Sequence, residues 1–405
     1  MSEPFLRIKN LQIKVFNKKE FLLLGLIIFF LPEVILAANL YWVGGEGGNV
    51  SDRTNWSTTN PTACNPGGGN ASSAPGTADV AIFDPDCDNG ATIDLNWSIL
   101  GIQIQSGYSG TITQSANYTI TVGTSGWTQA DGTFIGGTGN ITIDGDYNIS
   151  GGSFTSTSGI LQVNRSFIQT GSPTWNANAG TVNFGGAYDG GDTTVDAPGI
   201  TFNLVTINRT MSASYTRTFT IAANTTIPLG NSPTITLNNT SVYYHLTNNG
   251  TITVSGGTGM TINVKGNFTN NGTLTANTIT TLTMNGSIVN SGTISLTSAT
   301  TLDFNTYNYY IASYTGNSGS SLLTASSPTF NIEGSLVVAS GATFPSNATV
   351  NFDGAYADGN TTVDAPGITF NLVTINRTIY SSSARTFTIA ANTTIPLGNS
   401  PTMEQ

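Results

Sequence analysis

The sequence predicts an all-β protein: a right-handed parallel β-helix, or β-solenoid, with an N-terminal cap, after a cleaved signal peptide. Three observations predict it. A short polar phrase recurs as LTNNGTITV from Leu246, FTNNGTLTA from Phe268 and IVNSGTISL from Ile288; its glycines stand at 250, 272 and 292, so 22 and then 20 residues apart. Around the phrase, apolar and polar residues alternate in bursts such as TITV, TINV, TLTA and TLTM. That two-residue period belongs to strands with one buried face. Finally, a 52-residue block from Val182 to Pro233 returns at Val350 to Pro401 with 9 mismatches and an offset of 168.

The first element, residues 1–38, reads as the signal peptide. Arg7, Lys9, Lys14, Lys18 and Lys19 precede the apolar run FLLLGLIIFFL (Phe21 to Leu31), and small residues at Ala37 and Ala38 supply a cleavage point. Eleven apolar residues fall short of the roughly 20 that a membrane span needs. An uncleaved N-terminal anchor is the alternative. The leader holds 5 of the 12 basic residues and 3 of the 22 acidic ones, which leaves 7 against 19, or 12 net negative charges. Lys265 is then the only lysine. Such a surface makes nucleic acid and anionic membranes poor partners; calcium or a basic partner suits it better, although an acidic pI is also a common solubility device.

The second element, residues 39–100, reads as the cap that a solenoid needs over its first coil. YWVGGEGGNVSDRTNWS and GTADVAIFD flank a Gly/Pro-rich loop, and Trp42, Trp56 and Phe83 are the aromatic residues available to plug the end. Cys64 and Cys87 are the only cysteines. An even pair in an exported chain reads as a disulfide, worth roughly 3 kcal/mol for a loop of this length on chain-entropy grounds.

The third element, residues 101–405, reads as solenoid coils. Three bursts per twenty residues fit one coil, with Ile252, Val254, Ile262, Val264, Phe268, Leu274 and Ala276 facing inward. Thr and Asn between them face solvent, and the Asn-Gly corners tolerate positive φ and stack into columns. One coil cannot bury its apolar face alone, so the phrase must recur. A β-sandwich array is the competing fold; it favours longer strands and a repeat the length of a whole domain. The 168-residue offset equals eight coils of 21, and a duplicated block keeps register only if it holds whole coils. The second copy stops at PTMEQ where the first continues PTITLNNT, so the expectation is a chain truncated inside a strand.

At these residues the chain resembles exported repetitive surface proteins of bacteria. The YWVGG, NWS and ADVAIFD segments are similar to the opening of many adhesin-like proteins, and the GNFTNNGTLTA coils resemble those of filamentous-haemagglutinin-type and autotransporter-passenger β-helix adhesins. The likeness covers most of the chain from Tyr41 onward. It implies surface display, adhesion or biofilm contact, and it brings no catalytic motif.

Each candidate for chemistry has a plain structural competitor. Asp84, Asp86 and Asp88 in DPDCDNG alternate like the start of a calcium loop, whose hard cation wants such oxygens. However, the glycine comes one place late, no Glu stands at the twelfth position and Cys87 interrupts; an acidic turn beside a disulfide is the competitor. DGD at Asp144 and Asp146 reads as a corner turn. A carbohydrate-active β-helix enzyme, a polysaccharide lyase or hydrolase, needs clustered carboxylates and a base or cation. Asp189, Asp192 and Asp196 lie near Arg209 and Arg217, and the copy carries Asp353, Asp358, Asp364, Arg377 and Arg385. Yet Asp189 becomes Ala357 and Gly190 becomes Asp358, a drift that suits a solvated loop. His245, the one histidine, reads as structural. Paired threonines (251/253, 273/275, 281/283) suit an ice-binding face, although outward Thr is also what a charge-poor strand tolerates. The reading is therefore a non-enzymatic stalk or adhesin at the bacterial surface. It takes no cofactor unless calcium, has no membrane span in the mature chain, and has glycans or other cell-surface molecules as partners.

Overall fold

The computed structural model describes residues 38–187, 191–211, 215–239, 243–305, 313–353, 360–376 and 386–396. Two compact units divide the chain, Met1–Ala37 and Ala38–Gln405. All of the expected leader but Ala38 falls on the first and lies outside the described residues, as does the terminal PTMEQ.

From Ala38 onward the chain winds as a β-solenoid of about 12 turns, with 53% of residues in strands and no α-helix among the described residues. Every regular coil lays a strand on each of three faces. Thr251–Gly256 occupies the first face, while Gly259–Asn270 covers the second and bends onto the third. The next coil repeats this with Thr273–Thr275 and Thr281–Asn290. Pairing is parallel and in register: Ile252 lies over Leu274, Ile262 over Met284 and Phe268 over Ile288. Side chains alternate across each strand, so these residues form continuous inward columns, and all six are at most 1% exposed. Each such side chain contributes roughly 1.5–3 kcal/mol on leaving water. Most of that is offset by the entropy of ordering a chain this rich in Gly and Ser.

The filling of the interior changes along the stack. In the early coils it is aromatic: Phe154 stacks between Phe134 (4.9 Å between ring centres) and Trp175 (5.1 Å). In the NNG coils it is mainly aliphatic, with Phe268 among it and one polar column. Asn248, Asn270 and Asn290 all point inward at 0% exposure. Asn248 Nδ2 donates to Asn270 Oδ1 at 2.8 Å, and Asn270 Nδ2 donates to Asn290 Oδ1 at 2.9 Å. The same Nδ2 groups also reach the carbonyls of Thr273 and Thr293, so the buried amides are satisfied.

This ladder explains the first asparagine of NNG, and close stacking explains its glycine. Gly250, Gly272 and Gly292 do not have positive φ, contrary to the expectation for these corners. Their constraint is proximity. A Cβ on Gly272 would lie 2.0 Å from the carbonyl oxygen of Gly250, and one on Gly292 would lie 2.0 Å from that of Gly272. Only a residue without a side chain lets these backbones stack.

The duplication holds whole coils, but seven rather than eight. Along the second face from Asn183 to Asn351, the ladder takes seven steps, through strands starting at 204, 234, 259, 281, 301, 329 and 348. The offset of 168 divided by seven gives a mean coil of 24 residues. Steps in this interval run from 20 to 28 residues, and connections at one corner supply much of the extra length. Between the second and third faces, Met211 is followed by the strand starting at Arg217, Asn305 by Tyr314, and Phe352 by Thr361.

Gly272→Ala is expected to destabilise the protein by more than about 2 kcal/mol, because the packed carbonyl below has nowhere to retreat. Gly259→Ala, whose Cβ would meet nothing nearer than Thr281 O at 3.7 Å, is the control and should change little. Urea unfolding of both variants measures the contrast.

Candidate functional site

The first coil gathers the residues singled out at the N-terminal end. Ala38–Trp42 pairs parallel with Asp79–Phe83 and antiparallel with Trp56–Ser57. That arrangement places Trp42, Trp56 and Phe83 together at 0% exposure, with ring centres 5.2 to 5.9 Å apart. Each indole N–H is satisfied, Trp42 by Asn89 O and Trp56 by Val50 O. Cys64 and Cys87 are joined as a disulfide, which ties the Gly/Pro-rich loop to this coil.

The aspartates beside it do not converge. Asp84 is turned inward at 2% exposure, and its Oδ1 accepts from Asp86 N at 2.9 Å in a local turn. Asp88 Oδ1 instead accepts from Ser109 N in the next coil. Among the described residues no three His, Cys, Asp or Glu side chains come together to hold a metal ion. Burial, and then the charges of Asp86 and Asp88, push the Asp84 carboxyl above the ordinary carboxylate range. Asp84 and Asp88 each give one carboxylate oxygen to a backbone N–H, while Asp84 Oδ2 is buried without a hydrogen-bond partner.

Grooves among the described residues are open to solvent. One of about 460 Å³ lies along the disulfide loop, against Val43, Ser57, Pro61, Cys64 and Asn70. Another of about 320 Å³ lies against Ile368, Phe370 and Pro396. Neither is lined by an ionisable side chain.

The carboxylates and arginines considered for catalysis are placed as follows. Asp192 Oδ1 accepts from Thr218 N at 2.9 Å, and its counterpart in the second block, Asn360, accepts from Thr386 N at 3.0 Å. An amide thus does the carboxylate's work, so the site uses an acceptor and not a charge. Arg209 is fully buried between coils: it donates to Thr193 Oγ1 and to the carbonyls of Val163 and Arg165, and lies 5.7 Å over the Phe219 ring. Asp189, Asp358, Arg377 and Arg385 lie outside the described residues.

The Asp192 contact is one rung of a column that sequence reading missed. At the corner entering the third face, one side chain per coil accepts the backbone N–H of the coil that follows. Asp146 does so for Ser166, Ser166 for Thr194, Ser287 for Ser313 and Ser335 for Thr362. His245 joins this column through Nδ1, which accepts from Asn267 N at 3.0 Å. Its imidazole is half-buried, and desolvation holds its pKa below the ordinary histidine value. Accepting through Nδ1 requires the neutral ring with its proton on Nε2.

On the first face, outward residues form two further columns. Thr251, Thr273 and Thr293 lie over one another, as do Thr253, Thr275 and Ser295. The apolar partners between them point inward.

Comparison with known proteins finds no match to a protein family, a curated protein or a solved structure. The fold itself defines the class: a β-helix repeat protein built on a β-solenoid.

Acidification is expected to weaken the protein at His245. With the folded pKa depressed below the unfolded value near 6.5, the contribution is complete above that value and is lost as pH falls through the folded pKa. Protonation removes one acceptor, worth about 1 kcal/mol. The drop in Tm between pH 7.5 and pH 5 should be smaller in His245→Gln than in wild type, which thermal unfolding at the two pH values checks.

Proposed function

We propose that the chain works as a structural stalk or adhesin exported to a bacterial surface, where it binds glycans or other surfaces multivalently. The observation that carries this reading is the repetition of the same outward residue type at one ladder spacing, coil after coil, as in Thr251–Thr273–Thr293. Such an array meets a repeating ligand at many equivalent points, and linked weak contacts raise avidity by about 10²–10⁴ without any single strong site. A disulfide at Cys64–Cys87 suits an oxidising compartment. Asp192 and Arg209, both engaged in holding coils together, lend the polysaccharide-degrading alternative no support. The ordered threonine columns do favour a second reading, in which the first face orders water and binds ice.

The deciding experiment applies the purified chain to a glycan array and to insoluble polysaccharides, and follows release of reducing or unsaturated ends. Binding without degradation is expected. Degradation in place of binding sinks the adhesin reading, and thermal hysteresis in the absence of glycan binding transfers the function to the threonine face.

A further inference from the structure

We propose that the strand Phe387–Ile389, with the corner and short segment that follow it to Pro396, is a docking edge for an extended, uncharged strand of a separate polypeptide, taken up in parallel register. The site is independent of the glycan reading above. The molecule itself supplies the comparison, because the same surface occurs twice, once covered and once open.

The receiving coil is built in the same way in both blocks. Thr193–Val195 pairs in register with Phe219–Ile221, and Thr361–Val363 with Phe387–Ile389. Ala222 N donates to Val195 O at 2.9 Å, and Ala390 N to Val363 O at 2.9 Å. Ala197 N reaches Thr225 Oγ1 at 2.8 Å, and Ala365 N reaches Thr393 Oγ1 at 2.9 Å. The edge is therefore preformed.

What differs is the cover. In the first block Tyr244–Asn248 lies over Arg217–Ile221, and Thr251–Val254 lies over Thr226–Leu229, both parallel. Asn249 N donates to Ile221 O and Thr251 N to Thr225 O, each at 2.8 Å. Phe219, Ile221 and Ile227 are then 0% exposed. Their counterparts Phe387 and Ile395 are only partly buried, and Ile389 is 48% exposed. Among the described residues no strand pairs on the far side of Phe387–Ile389, and none donates to Ile389 O or Thr393 O. An edge with unpaired backbone groups recruits a further strand. Tyr244–Val254 lies outside the 52-residue block, so the second copy of the block does not bring its cover with it.

The covered block defines the chemistry of the occupant. Leu246 sits over Phe219 and Ile252 over Ile227, with threonine at the outward positions between. The turn joining the two strands needs glycine at one place: a Cβ on Gly250 would collide with the carbonyl oxygens of Ala222 and Thr225, whose counterparts are Ala390 and Thr393. Residues 386–396 carry no ionisable side chain, so a charged strand would bury its charge here without a partner. A second copy of the chain fits less well. Its head is closed by Trp42, Trp56 and Phe83 and by the antiparallel strand Trp56–Ser57. Its tail, being the same surface, meets this one only antiparallel, whereas the covered block pairs in parallel.

The test uses the full chain and, as probe, a fluorescein-labelled peptide of residues 244–254, YHLTNNGTITV, followed by fluorescence anisotropy. Saturable binding is expected. Gly250→Ala or Leu246→Asp in the peptide should each weaken it at least about tenfold. Ile389→Asp in the chain alters an exposed residue, so Tm should stay unchanged while peptide binding falls by a similar factor. Ile135→Asp, on an isoleucine 41% exposed in an early coil, should bind as wild type. A wild type that takes up no peptide overturns the proposal, as does binding that tolerates Gly250→Ala or ignores Ile389→Asp. A wild type that sediments as a dimer and turns monomeric on Ile389→Asp gives the edge to a second copy and overturns it too.

Discussion

The structure depends on how closely two successive corners can approach. At the NNG turns the carbonyl of one glycine sits 2.0 Å from where the Cβ of the glycine above would be. No other residue fits, and the asparagine two positions earlier must spend its amide on the coil beyond. The parallel ladders, the inward aliphatic columns and the outward rows of threonine all inherit their register from that contact. A β-solenoid without charge to organise its surface needs some feature that repeats without drift, and here it is a backbone in contact with itself.

Much of this was legible in the sequence, because a stacked coil leaves a period. Ile252 over Leu274 follows directly from the spacing of the phrase, and the pairing of Cys64 with Cys87 follows from their being the only two. The reason for glycine was misread, since proximity between coils has no local signature and positive φ is the familiar cause. The coil number was misread for another reason: an average of 21 residues presumes equal corners, and the corners are unequal. The cluster of mismatches at 185–192 and 211–216 was the signal that pointed to the unequal corner.

The acceptor column was hidden for a chemical reason. Asp, Ser, Asn and His all accept one hydrogen bond from a backbone N–H, so the role repeats while the residue does not. The three-aspartate motif shows the same local use of an acceptor. Asp84 Oδ1 holds a local turn, and Asp88 Oδ1 reaches a backbone N–H of the next coil, so part of the negative charge serves as mortar between coils.

A duplication of seven whole coils carries a consequence for heredity. Asn183 and Asn351 occupy equivalent rungs, so a crossover between the two blocks deletes or adds seven ladder steps and leaves the flanking strands in register. Each such event changes the protein's reach by about 34 Å, at about 4.8 Å per step. Length in this molecule is thus a quantised trait, open to variation between generations without a single new residue having to be tested for folding.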